Sequence, residues 1–307
     1  MIQTEDLGKQ FGGYWAVDGV TLDVQPGHVL ALLGQNGAGK TTTVRLLTAV
    51  LAPSRGRAYV AGLDVTQFPD QVRSQVGVLT EQHGLYLRMT ANEYLDFYGQ
   101  VYGLAAERRL ERSRDLLEYF GLSRAADQPM GQYSKGMRQK LALARTLMHE
   151  PPVLLLDEPT SAMDPESARL VREAIASLRS AQRTIVICTH NLVEAELLAD
   201  QIAIIYRGRI LVQGTVAELK RRLLGPAEYE VQLPPGEVLG PVRLPPGVTV
   251  LPDHDFLPRF RVEDPQTANP LFLEELIRHG VHVVALQEVP RTLEQVYLAA
   301  MAQVEHG

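Results

Sequence analysis

Short unbroken apolar runs alternate with amphipathic stretches through the first two thirds of the chain. Val29-Leu30-Ala31-Leu32-Leu33, Val153-Leu154-Leu155-Leu156 and Ile185-Val186-Ile187-Cys188 are such runs. Apolar side chains at both odd and even positions mean a strand buried on both faces, as in a parallel sheet covered by helices. The intervening patterns predict helices. One runs from Thr41 to Val50. A second opens at Thr90 with a Thr90/Glu93 capping box and continues to Tyr102. Others span Ala105 to Phe120, and from Gly136 to the helix-stopping Pro151-Pro152. Asp164 is placed to cap a further helix, with Pro165 at its first position. The segment 88–150 is almost wholly helical and interrupts the strand–helix alternation, so it reads as an inserted helical subdomain.

Gln201–Tyr206 and Arg209–Gln213 read as a hairpin, and Thr215 with Glu218 opens one more helix. Beyond Gly225 the pattern changes. Pro234-Pro235-Gly236 and Pro245-Pro246-Gly247 mark turns, with helices expected over 271–279 and 292–302 and a strand over 281–286. The expected organisation is a domain over 1–224 and a small α+β accessory domain over 225–307. The accessory stretch carries no chemistry-bearing spacing.

Composition narrows the classes. At 307 residues and 45% hydrophobic content the chain can bury full cores in two domains. A net charge of -6 without a long basic run argues against a nucleic-acid binder, and no such partner is expected. The single cysteine, Cys188, lies in an apolar run and reads as a buried core residue. Met1 to Asp6 lack the pattern of a signal peptide, and no apolar run reaches the roughly 18 residues of a membrane span, so any membrane role is expected to come through a partner.

The chemistry is concentrated at strand ends. Gly34-Gln35-Asn36-Gly37-Ala38-Gly39-Lys40-Thr41 matches the phosphate-binding pattern G-x-x-x-x-G-K-[ST]. Glycines let backbone N–H groups turn inward around an anion, and the following helix adds its positive dipole end. Lys40 then faces the β- and γ-phosphates, and the Thr41 hydroxyl is suited to Mg²⁺. The candidate nucleotide contacts are Gly34, Asn36, Gly37, Ala38, Gly39, Lys40, Thr41 and Thr42. Asp157, closing the apolar run 153–156, is the candidate metal partner. Glu158, one residue on, is the candidate base that polarises the attacking water. These residues alone specify a nucleotide hydrolase.

Tyr133-Ser134-Lys135-Gly136-Met137-Arg138-Gln139-Lys140 resembles the signature motif of ABC ATPases. Ser161-Ala162-Met163-Asp164 looks like that family's D-loop, and His190 matches its switch histidine. Phe11 matches the aromatic position that stacks on adenine. The resemblance covers residues 1–220 with the motifs in family order. It implies a P-loop NTPase fold: a RecA-like parallel core, an antiparallel β part and an inserted helical subdomain. It also implies ATP and Mg²⁺ as cofactors, and catalytic roles for Glu158 and His190. Ser134, Gly136 and Asp164 would complete the ATP site of a second ATP-binding subunit, in a homodimer or heterodimer. The wording Tyr-Ser-Lys-Gly-Met and Gly84-Leu85-Tyr86 resembles the exporter-type, single-cassette subgroup. Its members drive export through separate transmembrane permease subunits at the cytoplasmic face of the membrane. A soluble ABC-type ATPase acting on ribosomes or DNA is the alternative. It is disfavoured by the single cassette and by the lack of long heptads or cysteine pairs.

The chain departs from the family in places. The Q-loop position falls on Glu81 or on Gln82, either of which could approach the metal. Lys135 and Met137 stand where the commonest signature has glycine and glutamine, and Met163 replaces a leucine. The permease-facing groove is expected to include the Q-loop and the segment 86–98, whose aromatics Tyr86, Tyr94, Phe97 and Tyr98 are expected to be mostly core.

Overall fold

The computed structural model describes residues 1–80, 84–251 and 258–305. The chain divides into two compact units, Met1–Val216 and Ala217–Gly307.

The first unit begins with β1 (Ile2–Phe11), β2 (Tyr14–Val24), β3 (Val29–Leu33) and α1 (Lys40–Leu47). It continues with β4 (Arg55–Val60), β5 (Leu63–Asp64), α2 (Pro69–Ser74), β6 (Val76–Leu79), α3 (Ala91–Val101) and α4 (Ala106–Tyr119). Helix α5 (Lys135–Thr146), β7 (Val153–Asp157), α6 (Pro165–Ser177), β8 (Thr184–Thr189), α7 (Leu192–Leu198), β9 (Gln201–Tyr206) and β10 (Arg209–Gly214) complete it. Strands β9, β3, β8, β7 and β6 lie side by side and parallel, with β10 antiparallel at one edge. A second, antiparallel sheet has the order β2-β1-β4-β5.

Both faces of the parallel sheet are covered, and the strand residues divide between them by parity. Leu30, Leu32, Val153, Leu155, Val186 and Cys188 pack toward α1 and the antiparallel sheet. Leu154, Leu156, Ile185 and Ile187 pack toward α3, α4, α5 and α6. Cys188 is fully buried, and that burial pushes its thiol well above the ordinary range. The helical insert is thus one wall of the same core.

The aromatic segment departs from expectation. Tyr94 is fully buried and Tyr98 partly so, but Tyr86 is 54% and Phe97 42% exposed. Tyr86 and Phe97 meet edge to face at 6.2 Å, a pair that faces outward rather than into the core.

In the second unit, α8 (Val216–Leu224) precedes β11 (Ala227–Gln232), β12 (Val248–Val250), β13 (Arg259–Val262), α9 (Pro265–Arg278), β14 (Ala285–Glu288) and α10 (Leu293–Glu305). The four strands form an antiparallel sheet in the order β12-β13-β11-β14, and Phe260 and Phe272 pack at its centre. Helix α9 starts six residues before the expected Leu271. Asp264 caps it by accepting from Gln266 N, Pro265 sits at its first position, and Pro270 is held inside it. Strand β14 likewise pairs later than 281–286, through Ala285–Gln232 to Glu288–Tyr229.

The Thr90 cap is built in full: Thr90 Oγ1 accepts from Glu93 N at 3.2 Å, and Thr90 N donates to Glu93 Oε2 at 2.8 Å. Thr90→Ala should lower unfolding stability by about 1 kcal/mol, read by urea denaturation followed by circular dichroism.

Candidate functional site

Strand β3 ends at Leu33, and the loop after it can form only with glycine at two points. A Cβ on Gly34 would stand 2.4 Å from the Ile205 carbonyl oxygen. Gly39 has φ +111, and a Cβ there would stand 2.6 Å from the Ala16 carbonyl oxygen. Gly34 N donates to Thr189 O at 3.1 Å and Gly208 N donates to Ala38 O at 2.9 Å, so β8 and the β9–β10 turn hold the loop. Gly39 is the N-cap of α1. It supplies no side-chain cap, and no acidic residue lies in the first turn. The helix start therefore keeps its N–H groups and its positive end for an anion.

Five candidate residues meet here. Lys40 is buried, and its Nζ donates to Gly34 O at 2.6 Å while lying 3.1 Å from Glu158 Oε1. Thr41 Oγ1 donates to Asp157 Oδ2 at 2.8 Å. His190 Nδ1 lies 2.8 Å from Glu158 Oε2. Asp157 and Glu158 close β7 and His190 follows β8, next to β7 in the sheet. Glu158 adopts φ +50, unusual for a side chain with a Cβ, and its N–H donates to Cys188 O at 2.8 Å. That left-handed turn lets consecutive carboxylates serve different partners: Asp157 faces Thr41, while Glu158 faces Lys40 and His190.

The site fits a nucleotide phosphate chain with a hard cation. The loop offers backbone N–H groups and one buried ammonium. Thr41 and Asp157 offer oxygen donors, the type that Mg²⁺ takes when substrate phosphates complete its shell. Among the described residues no group of three or more His, Cys, Asp or Glu could hold a metal without such help.

Other candidates lie elsewhere. Ser134 is the N-cap of α5 and accepts from Met137 N at 3.2 Å. Asp164 caps α6, accepting from Ser167 N at 3.0 Å, and hydrogen bonds from Ser167 hold its carboxyl below the ordinary range. A Cβ on Gly136 would come within 3.3 Å of Ser167 Oγ, so Ser134, Gly136 and Asp164 form a second group where α5 meets α6. Phe11, at the end of β1, is 46% exposed, with the Lys9 ammonium 5.4 Å from its ring. Asn36 and Gly37 form the exposed lip of the loop, and Thr42 is partly buried on α1. Glu81 and Gln82 lie outside the described residues.

Sequence reading missed three supports of the loop after β7. Gln139 Nε2 donates to Pro159 O at 2.5 Å, Lys135 Nζ donates to Ala162 O, and Thr160 Oγ1 donates to the buried Glu194. Gln139 and Lys135 stand within the signature segment, which was the available signal. Nothing nearby in sequence marks Glu194.

The family model described as ABC transporter matches residues 17–161. The daunorubicin/doxorubicin resistance ATP-binding protein DrrA of Streptomyces peucetius is 37% identical over 97% of this chain and 91% of its own length. The chain belongs to the ABC transporter ATP-binding family. It is an ATP-binding and ATP-hydrolysing subunit of that type. The ABC transporter ATP-binding protein NatA of Bacillus subtilis (strain 168) is 40% identical over 66% of this chain and 83% of its own length. A solved ATP-binding subunit of an ABC transporter, 29% identical, superposes with a TM-score of 0.66 over 73% of this chain and 94% of that one. Within this ABC subunit no described helix is long and apolar enough to cross a membrane.

Gly39→Ala forces an L side chain into φ +111 against the Ala16 carbonyl. It should weaken ATP binding by at least about tenfold, measured by equilibrium titration with a fluorescent ATP analogue.

Proposed function

We propose that the chain is the Mg-ATP-driven motor of an export system, working as a pair of cassettes beneath separate permease subunits at the cytoplasmic face of a membrane. The contact network joining Lys40, Thr41, Asp157, Glu158 and His190 carries this reading, because it brings together an ammonium, two metal-suited oxygens and a carboxylate base, the protein groups that phosphoryl transfer to water uses. The backbone from Gly34 to Gly39 cradles the phosphates, and Lys40 supplies the compensating charge. Thr41 and Asp157 would hold Mg²⁺, which would supply charge neutralisation for the phosphates. Glu158 accepts the proton of the attacking water. His190, 2.8 Å from the Glu158 carboxylate, orients it and contacts the γ-phosphate. The exposed ring of Phe11 is available for stacking on adenine.

Ser134 and the backbone at Gly136 form a second helix start suited to an anion, in a group with Asp164 that is separate from the Lys40 cluster. We assign that group to the nucleotide held by the Lys40 cluster of a second cassette, identical or related. ATP thereby becomes part of the adhesive between the two.

A groove of about 960 Å³ supports the permease contact. It runs from Thr41 and Asp157 past Thr80 and Arg145 to Tyr98, Val101 and Tyr102. Exposed Phe97 lies on helix α3 of the insert, with the exposed Tyr86 ring against it. An apolar element of a membrane subunit seated there would touch the insert and, through the groove, the metal end of the site. Glu81 or Gln82, next in sequence after Thr80, is the residue we assign to relaying metal occupancy to that partner. Export, rather than uptake, is supported by the likeness to a drug-resistance protein that extends through the second unit.

Glu158→Gln keeps the shape and removes the base. Steady-state phosphate release should fall at least about 100-fold with ATP affinity retained; turnover near wild type would remove the assignment. Lys40→Ala should instead weaken ATP binding, by about tenfold or more. An unchanged dissociation constant would contradict the role given to that ammonium.

A further inference from the structure

Glu194 is a carboxylate in the wrong environment for an ordinary helix residue. It sits near the start of α7, is 0% exposed, and burial pushes its carboxyl above the usual range. Uncompensated burial of such a group costs several kcal/mol, so the position needs a reason. Helix capping does not supply one. An acidic residue at this position often reaches back to the N-cap backbone. Here Asn191 N donates to Thr189 Oγ1 at 3.0 Å instead, and the Asn191 side chain alone caps Val193 N and Glu194 N.

The Glu194 side chain reaches another segment instead. Its Oε1 accepts from Thr160 Oγ1 at 2.9 Å. Thr160 lies two residues after Glu158 in the loop that leaves β7. Thr189 immediately precedes His190 at the end of β8. One buried carboxylate, on the helix that follows His190, is therefore tied to the loop that follows Glu158, so it links the segments that carry the two residues read above as base and switch. It lies behind them, while the Glu158–His190 contact closes them in front. Glu158 N to Cys188 O is the third tie between the same two strand ends.

We propose that Glu194 is a positioning residue for ATP hydrolysis, setting the spacing between the Glu158 loop and the His190 loop through its bond to Thr160 and its place on α7, the helix that follows His190. It acts only through its neighbours. The phosphate loop is held by Thr189 O, Gly208 N and glycine geometry, none of which involves the Glu194 side chain. Losing Glu194 should therefore loosen the reaction end of the site and leave the binding end intact. The proposal rests on the reading of Glu158 and His190 given above.

The test is a kinetic cycle on the full chain, combining Glu194→Ala and His190→Ala, with ATP affinity measured separately. Glu194→Ala should lower kcat about tenfold and leave the ATP dissociation constant within about twofold, and adding it to His190→Ala should cost little more. Thr160→Val, which removes the hydroxyl from the other side at nearly constant volume, should show the same pattern, and it carries the test if Glu194→Ala does not fold. Glu194→Gln retains shape and one acceptor and should recover part of the lost rate. Unchanged kcat, a parallel loss of ATP affinity, or full additivity with His190→Ala would overturn the proposal. If Glu158→Gln itself turned over at the wild-type rate, the underlying reading would fail. Additive losses with Glu158→Gln inactive would remove the role of Glu194 alone.

Discussion

The parallel pairing of β3, β8 and β7 is the constraint on which the molecule depends. Leu33 pairs with Thr189 and Asp157 with Cys188, so three strands from distant parts of the chain end at one level. Ligand sites of open α/β sheets lie at such carboxyl ends. The register is enforced by burial: Val29–Leu33 and Val153–Asp157 are buried at every position. Each fully buried Val, Leu or Ile contributes about 1.5–3 kcal/mol relative to exposure. A slip of one residue would exchange the two core faces and separate Thr41 from Asp157. Packing thus fixes the catalytic distances before any polar contact is made.

The parts legible in sequence were those specified locally. Unbroken apolar runs marked β3, β7 and β8, and glycine spacing marked the phosphate loop because its geometry excludes other residues. The Thr90 and Asp164 caps were readable for the same reason. Long-range determinants were not readable. Helix α9 contains Pro270, a residue that sequence rules place at a boundary, and tertiary packing of Ala268, Phe272 and Leu276 outweighs it. Tyr86 and Phe97 could equally have been core aromatics; whether they are covered depends on how the insert docks on the sheet. Glu194 resembles any solvated helix glutamate until the distant Thr160 is brought to it.

The departures from the common signature have physical content. A glycine in place of Lys135 could not reach the Ala162 carbonyl, so in this chain the signature helix holds the D-loop of its own cassette through a side chain. Gln139 does the same one turn later, at Pro159. The 158–163 loop is therefore tied to α5 on one side and to α7 through Glu194 on the other. Displacement of either helix would reach Glu158 within a few residues, which offers a short route between events at the signature-like segment and the residue proposed as base.

That route matters only if Ser134 and Gly136 serve the nucleotide of a neighbouring cassette. Light scattering coupled to size-exclusion chromatography of the Glu158→Gln chain, with and without ATP, addresses this directly. A dimer formed only when ATP is bound is the expected result, since each nucleotide would join the Lys40 cluster of one copy to the Ser134 group of the other. A chain that binds ATP yet remains monomeric at every concentration would contradict the composite site.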